Sequence, residues 1–214
     1  MDSIGFGLKP FAAAVAGVIF VEWAASFFTC DPVLVTGFAR LADICIIAGL
    51  VFFFRNFAKI PGLRSHEILR GLWMGCLWSV IFGIIVAMAG VVLFLIGINP
   101  AALVHANLPS RPWELVLFLV IAGIIGPAAE ELFFRGVVFG FLRKWGFWPA
   151  MIISMAAFVW AHHTRAGIPL PQLAGGIVFA CAYEREKNIL VPMVIHCAGN
   201  LAIFTIPVIC AAMC

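Results

Sequence analysis

Charge is scarce in this sequence. Only 11% of its 214 residues are Asp, Glu, Lys or Arg, whereas 64% are hydrophobic. Soluble domains carry roughly 25% charged residues, so the chain cannot solvate its surface in water and lipid must be its solvent. The formal net charge of +3 is small and scattered, which argues against a nucleic-acid partner. Metal-type and disulfide-type cysteine spacings are missing as well. None of the seven cysteines forms a C-x-x-C. Cys45, Cys76, Cys181 and Cys197 sit inside apolar runs and read as small hydrophobes, and only Cys30, Cys210 and Cys214 fall near span ends. There is no H-E-x-x-H, the usual helical zinc-protease signature, and no internal repeat, low-complexity stretch or soluble domain.

What the sequence has is long apolar runs. A membrane helix needs about 20 mostly apolar residues, and seven segments qualify: 10–29, 33–54, 69–98, 113–142, 148–163, 168–183 and 189–210. The third is long enough to tilt or to contain a break. The fifth and sixth are short, which suits helices shielded by their neighbours. The apolar run after Lys9 imitates a secretory signal, but Glu22 interrupts it and further spans follow, so a retained first span is expected. The expected fold is all-α, a polytopic membrane helix bundle of about seven transmembrane helices. Residues 1–112 supply the N-terminal spans and 113–214 the polar core of one integral domain.

Positive charge in short loops sets orientation. Arg55, Lys59, Arg64 and Arg70 follow the second span, Arg143 and Lys144 the fourth, and Arg185 and Lys187 the sixth. The intervening loops carry Asp31, then Arg111, then Arg165. The alternation predicts a cytoplasmic N-terminus and an external C-terminus.

Ionisable groups within spans cost roughly 2.5–3.5 kcal/mol each on insertion scales, so they need a partner, a wet cavity or a task. Arg40 and Asp43 share a helix face at i, i+3 and read as a mutually neutralising structural pair. Glu22 has no local partner. It can pair across helices or assist a site. In Gly126–Gly136, GPAAEELFFRG, Glu131 and Arg135 lie four apart with the acid N-terminal, the favourable ion-pair order. Glu130 points about 100° away and lacks a local cation, which leaves it available as a general base. Phe158 and His162 share a face, as do His196 and Asn200, with small Ala198 and Gly199 between the latter two. Counted from the cytoplasmic ends at 1.5 Å per residue, Glu130 and His162 lie about 20 Å deep and His196 about 14 Å, so three helices can bring them to one cavity. His163 points away from that face.

Taken in order, Glu130-Glu131-x-x-x-Arg135, Phe158-x-x-x-His162 and His196-x-x-x-Asn200 resemble the CAAX protease and bacteriocin-processing family, also called the Abi family. The resemblance covers residues 113–205. It implies a membrane-embedded all-α endopeptidase acting on a membrane-proximal protein or peptide, in a bacterial plasma membrane. It further implies that Glu130 and His162 activate water, that His196 and Asn200 stabilise the oxyanion, and that Glu131 and Arg135 support the site. No cofactor is needed for that scheme, although His162, His196 and a glutamate also make a zinc-type donor set. A transporter, whose buried polar groups would line an ion path, and a non-enzymatic scaffold are the readings from other classes.

Overall fold

The computed structural model describes residues 5–55, 58–100, 108–162 and 169–213. Each of the seven apolar segments forms a helix: α1 (Leu8–Ala25), α2 (Pro32–Phe53), α3 (Ser65–Leu95), α4 (Pro112–Trp145), α5 (Phe147–Ala161), α6 (Leu170–Glu186) and α7 (Leu190–Met213). The protein is a polytopic helical membrane bundle. Helices α1 to α4 are long and apolar enough to cross a membrane, while α5 and Leu190–Ile206 of α7 are shorter apolar helices. The expected fifth span ran to His163, which lies outside the described residues. A two-residue antiparallel pair, β1 (Gly5–Phe6) with β2 (Ala58–Lys59), ties the chain start to the loop after α2.

Local sequence explains the helix ends. Asp31 accepts from the backbone N–H of Val33 at 2.8 Å and of Leu34 at 3.3 Å, satisfying two free donors of α2, and Pro32 sits where no N–H is needed. Lys187 adopts a left-handed conformation (φ 50°) that stops α6. Large apolar side chains such as Leu69, Trp73, Phe94 and Leu95 stand exposed along α3, as lipid-facing residues should. At 31 residues α3 spans about 46 Å without a break, longer than the ~30 Å hydrocarbon core, so it tilts or projects beyond it.

The turn between α6 and α7 locks onto the first turn of α3 and the loop before it. Asn188 Nδ2 donates to the Glu67 carbonyl at 2.9 Å, its Oδ1 accepts from Leu190 N at 3.0 Å, and Ile189 N donates to Pro61 O at 2.9 Å. Gly62 is wedged there with φ +100°, and a Cβ would meet Ile189 N at 2.7 Å. Gly62→Ala should therefore lower stability by about 1–3 kcal/mol. Gly49→Ala, where a Cβ meets nothing within 4 Å, should not. Thermal unfolding midpoints in one lipid or detergent check the pair of variants.

Candidate active site

Helix α4 is irregular where its sequence is unusual. Gly123, Gly126 and Pro127 fall within a few residues. Proline cannot donate to the preceding turn, and the chain widens into a π turn over Ile121–Ile125. A regular stretch, Gly126–Glu131, is followed by a second π segment, Leu132–Phe139. Such turns leave carbonyls without the usual partners and recur at functional sites. One freed carbonyl is that of Ala122, and Asn200 of α7 donates its Nδ2 to it at 2.9 Å.

Glu131 is wholly buried and Arg135 nearly so, and Arg135 Nη1 donates to Glu131 Oε1 at 2.9 Å, as the i, i+4 spacing predicts. The guanidinium is held further by the Gly176 carbonyl of α6 at 3.3 Å, and its carbon lies 4.7 Å from the Phe158 ring centroid and 5.1 Å from that of Phe179. Gly176 lets α6 come this close: a Cβ would meet Met155 at 3.1 Å. The same Glu131 oxygen accepts from His196 Nδ1 at 2.9 Å. His196 also stacks on Phe179, with centroids 4.8 Å apart and planes 24° apart.

Glu130 faces the two imidazoles. Its Oε2 lies 3.5 Å from His162 Nε2 and 3.8 Å from His196 Nε2. His162 caps α5, and its Nδ1 lies 2.9 Å from the Phe158 carbonyl. A carbonyl oxygen only accepts, so that Nδ1 carries the proton. The Glu131 carboxylate likewise only accepts, so His196 Nδ1 carries one. Both Nε2 atoms are therefore the variable positions, and both turn toward Glu130. Glu130 and both histidines thus converge on one point from α4, α5 and α7, as the depth estimate expected. Among the described residues, no three His, Cys, Asp or Glu side chains are gathered in metal-holding geometry.

Asn200 stands one turn beyond His196 on α7, but its described hydrogen bond runs to Ala122 rather than toward Glu130. One of its two amide N–H groups is so used. Asn200→Ala should cost about 1–3 kcal/mol by stranding a part-buried carbonyl. Any catalytic loss should come on top, at about 10²–10³ for one oxyanion donor. Asn200→Asp, which keeps acceptors but loses the donor, should share both deficits in unfolding and cleavage assays.

Sequence reasoning missed Phe179, Gly176 and the two π turns. Only the Gly123, Gly126 and Pro127 cluster signalled an irregular helix, and nothing signalled which carbonyl would be freed. Glu22, left without a role by the sequence, pairs across helices: its Oε1 lies 2.7 Å from Arg40 Nη2, while Arg40 Nη1 meets Asp43 Oδ2 at 2.8 Å. The two guanidiniums of Arg40 and Arg135 are thus set among four carboxylates, those of Glu22, Asp43, Glu130 and Glu131.

A cleft of about 410 Å³ is lined by Ile44, Ile47 and Val51 of α2, Ile60 and Leu63 of the following loop, Leu132 of α4 and Met193 of α7, among others. Leu132 adjoins Glu131 in sequence, and Met193 lies three residues before His196.

Residues 112–202 match a family model described as type II CAAX prenyl endopeptidase Rce1-like. The membrane-embedded CAAX protease MroQ of Staphylococcus aureus (strain USA300) is 34% identical over 94 residues, covering 41% of this chain and 38% of that protein. The putative membrane peptidase YdiL of Bacillus subtilis (strain 168) is 36% identical over 85 residues, 39% of this chain and 34% of that protein. The UPF0177 protein YxdF of Lactococcus lactis subsp. lactis (strain IL1403) is 31% identical over 81 residues, 38% of this chain and 45% of that protein. The matched stretch thus spans less than half the length of each of these relatives. No solved structure matches the chain.

Proposed function

We propose that this chain, whose residues 112–202 match the Rce1-like model of type II CAAX prenyl endopeptidases, is an intramembrane endopeptidase that hydrolyses a peptide bond of a membrane-proximal protein or peptide with water activated by Glu130. The observation that carries this reading is the convergence of the Glu130 carboxylate with the Nε2 atoms of His162 and His196, both imidazoles being committed elsewhere through Nδ1. A water between Glu130 and His162 donates one hydrogen to each, which leaves its lone pair for the scissile carbonyl. Glu130 takes the proton as the C–O bond forms and returns it to the leaving amine as the C–N bond breaks. His196, protonated on Nε2, and the second N–H of Asn200 are the donors for the oxyanion. Glu131 is the counter-charge for such an imidazolium, and Arg135 keeps Glu131 fixed.

The all-apolar cleft supports an aliphatic stretch in the substrate. The relatives are bacterial, and the Lys/Arg alternation supports a plasma-membrane protein with a cytoplasmic N-terminus. Profiling purified protein in lipid against a library of internally quenched peptides tests the reading: cleavage of a defined subset supports it. Absence of any cleavage, together with proton or ion flux through reconstituted vesicles, moves the assignment to transport.

One observation favours a zinc-dependent version of the same protease. Both histidines donate through Nδ1 to a carbonyl or a carboxylate, the arrangement that metal-binding histidines adopt. Glu130, His162 and His196, which are not gathered in metal-holding geometry here, would have to close around the ion, which would supply Lewis acidity and a more acidic bound water. Chelator treatment separates the two versions. Unchanged cleavage and an unchanged melting midpoint support the metal-free one. Loss of both, restored by zinc, supports the metal.

A further inference from the structure

The N-terminal helices carry a charged group that the chemistry above leaves unused. Arg40 of α2 is held on two sides, by Asp43 at 2.8 Å and by Glu22 of α1 at 2.7 Å. Asp43 is 2% exposed, and its Oδ1 has no partner among the described residues. Ionised groups in a membrane bundle are costly, and apolar replacements of similar shape commonly match or exceed the stability of a buried ionic set. Packing alone therefore gives no reason for this triad.

Its position gives one. Gly37, one turn before Arg40, lets the α2 backbone press on the first π turn of α4, where a Cβ would meet Ile121 Cδ1 at 2.6 Å. That contact sets the Gly37–Arg40–Ile44 face of α2 against the stretch of α4 that carries Glu130. Arg40 lies within electrostatic reach of both Glu130 and His162, and Asp43 within reach of Glu130. The guanidinium is thus a cation, besides the histidines and Arg135, whose field reaches this cluster.

We propose that Arg40 is a positioning residue of the active site: its guanidinium, oriented by Asp43 and Glu22, offsets the crowding of carboxylates and holds Glu130 toward the water and His162. The N-terminal half, which lies outside the matched family segment, then supplies part of the working site. The inference rests on the protease reading and makes Arg40 act through Glu130, without contact to the substrate.

The test uses full-length protein in lipid and one cleaved member of the quenched peptide library. Arg40→Ala strands Asp43 and can fail to fold, so the informative variant is Arg40→Met/Asp43→Leu/Glu22→Gln, which removes all three charges together. The expected result is a melting midpoint at or above wild type, kcat lower by roughly tenfold or more and KM changed by less than about threefold. Arg40→Lys, which keeps the charge but loses the planar fork, should recover part of that kcat. A triple variant that turns over like wild type, beside an inactive Glu130→Gln reference, overturns the inference and leaves the protease reading standing. Cleavage by Glu130→Gln at the wild-type rate overturns both.

Discussion

Arg135→Ala should destabilise the protein by about 3–5 kcal/mol, because it leaves a carboxylate buried without its cation. Glu131 has no exposure to solvent and Arg135 is 1% exposed, so water cannot replace the lost guanidinium. The same change removes the bond to the Gly176 carbonyl and the packing between the Phe158 and Phe179 rings. It should also release Glu131, which orients His196 through Nδ1, so cleavage should fall with stability. Glu131→Gln/Arg135→Met separates the two effects. It removes the stranded charge and should recover much of the melting midpoint, yet it leaves His196 without its carboxylate and should stay poorly active. Normal melting and normal cleavage in Arg135→Ala would refute the pairing.

Glu130→Gln should have the largest effect on turnover. Glu130 has 18% side-chain exposure and no guanidinium bonded to it, so the amide should be accommodated with little change in folding. The base is gone, however, and general acid–base groups typically contribute about 10²–10⁴ in rate. Substrate binding should persist, and the variant should retain peptides that wild type cleaves. His162→Ala should be comparably inactive, since the water then loses its second acceptor. Melting midpoints beside single-turnover rates distinguish this outcome from simple unfolding.

The helix bundle was legible because lipid imposes a simple rule: backbone polar groups must be satisfied within each span, so apolar length reads directly as helix. Segment 33–54 became Pro32–Phe53, and 69–98 became Ser65–Leu95. The Glu131–Arg135 pair was legible for a similar reason, since i, i+4 spacing is local geometry. The convergence of Glu130, His162 and His196 followed from depth along helices of alternating direction. What stayed hidden depends on contacts between helices. Nothing in the sequence says that Glu22 of α1 reaches Arg40 of α2, or that Phe179 of α6 stacks on His196. The π turns were hidden because a residue inserted into a helix changes hydrogen bonding without changing hydrophobicity. For that reason Asn200, which the spacing aligns with His196, is found donating to Ala122.

The central claim is that Glu130 activates water for peptide hydrolysis. The most direct test compares wild type and Glu130→Gln, reconstituted in the same lipid and equally folded, by mass spectrometry of peptide products formed in ¹⁸O-labelled water. The account predicts new carboxyl termini carrying the label with wild type and none above background with Glu130→Gln. Labelled products formed at equal rates by both proteins would contradict it.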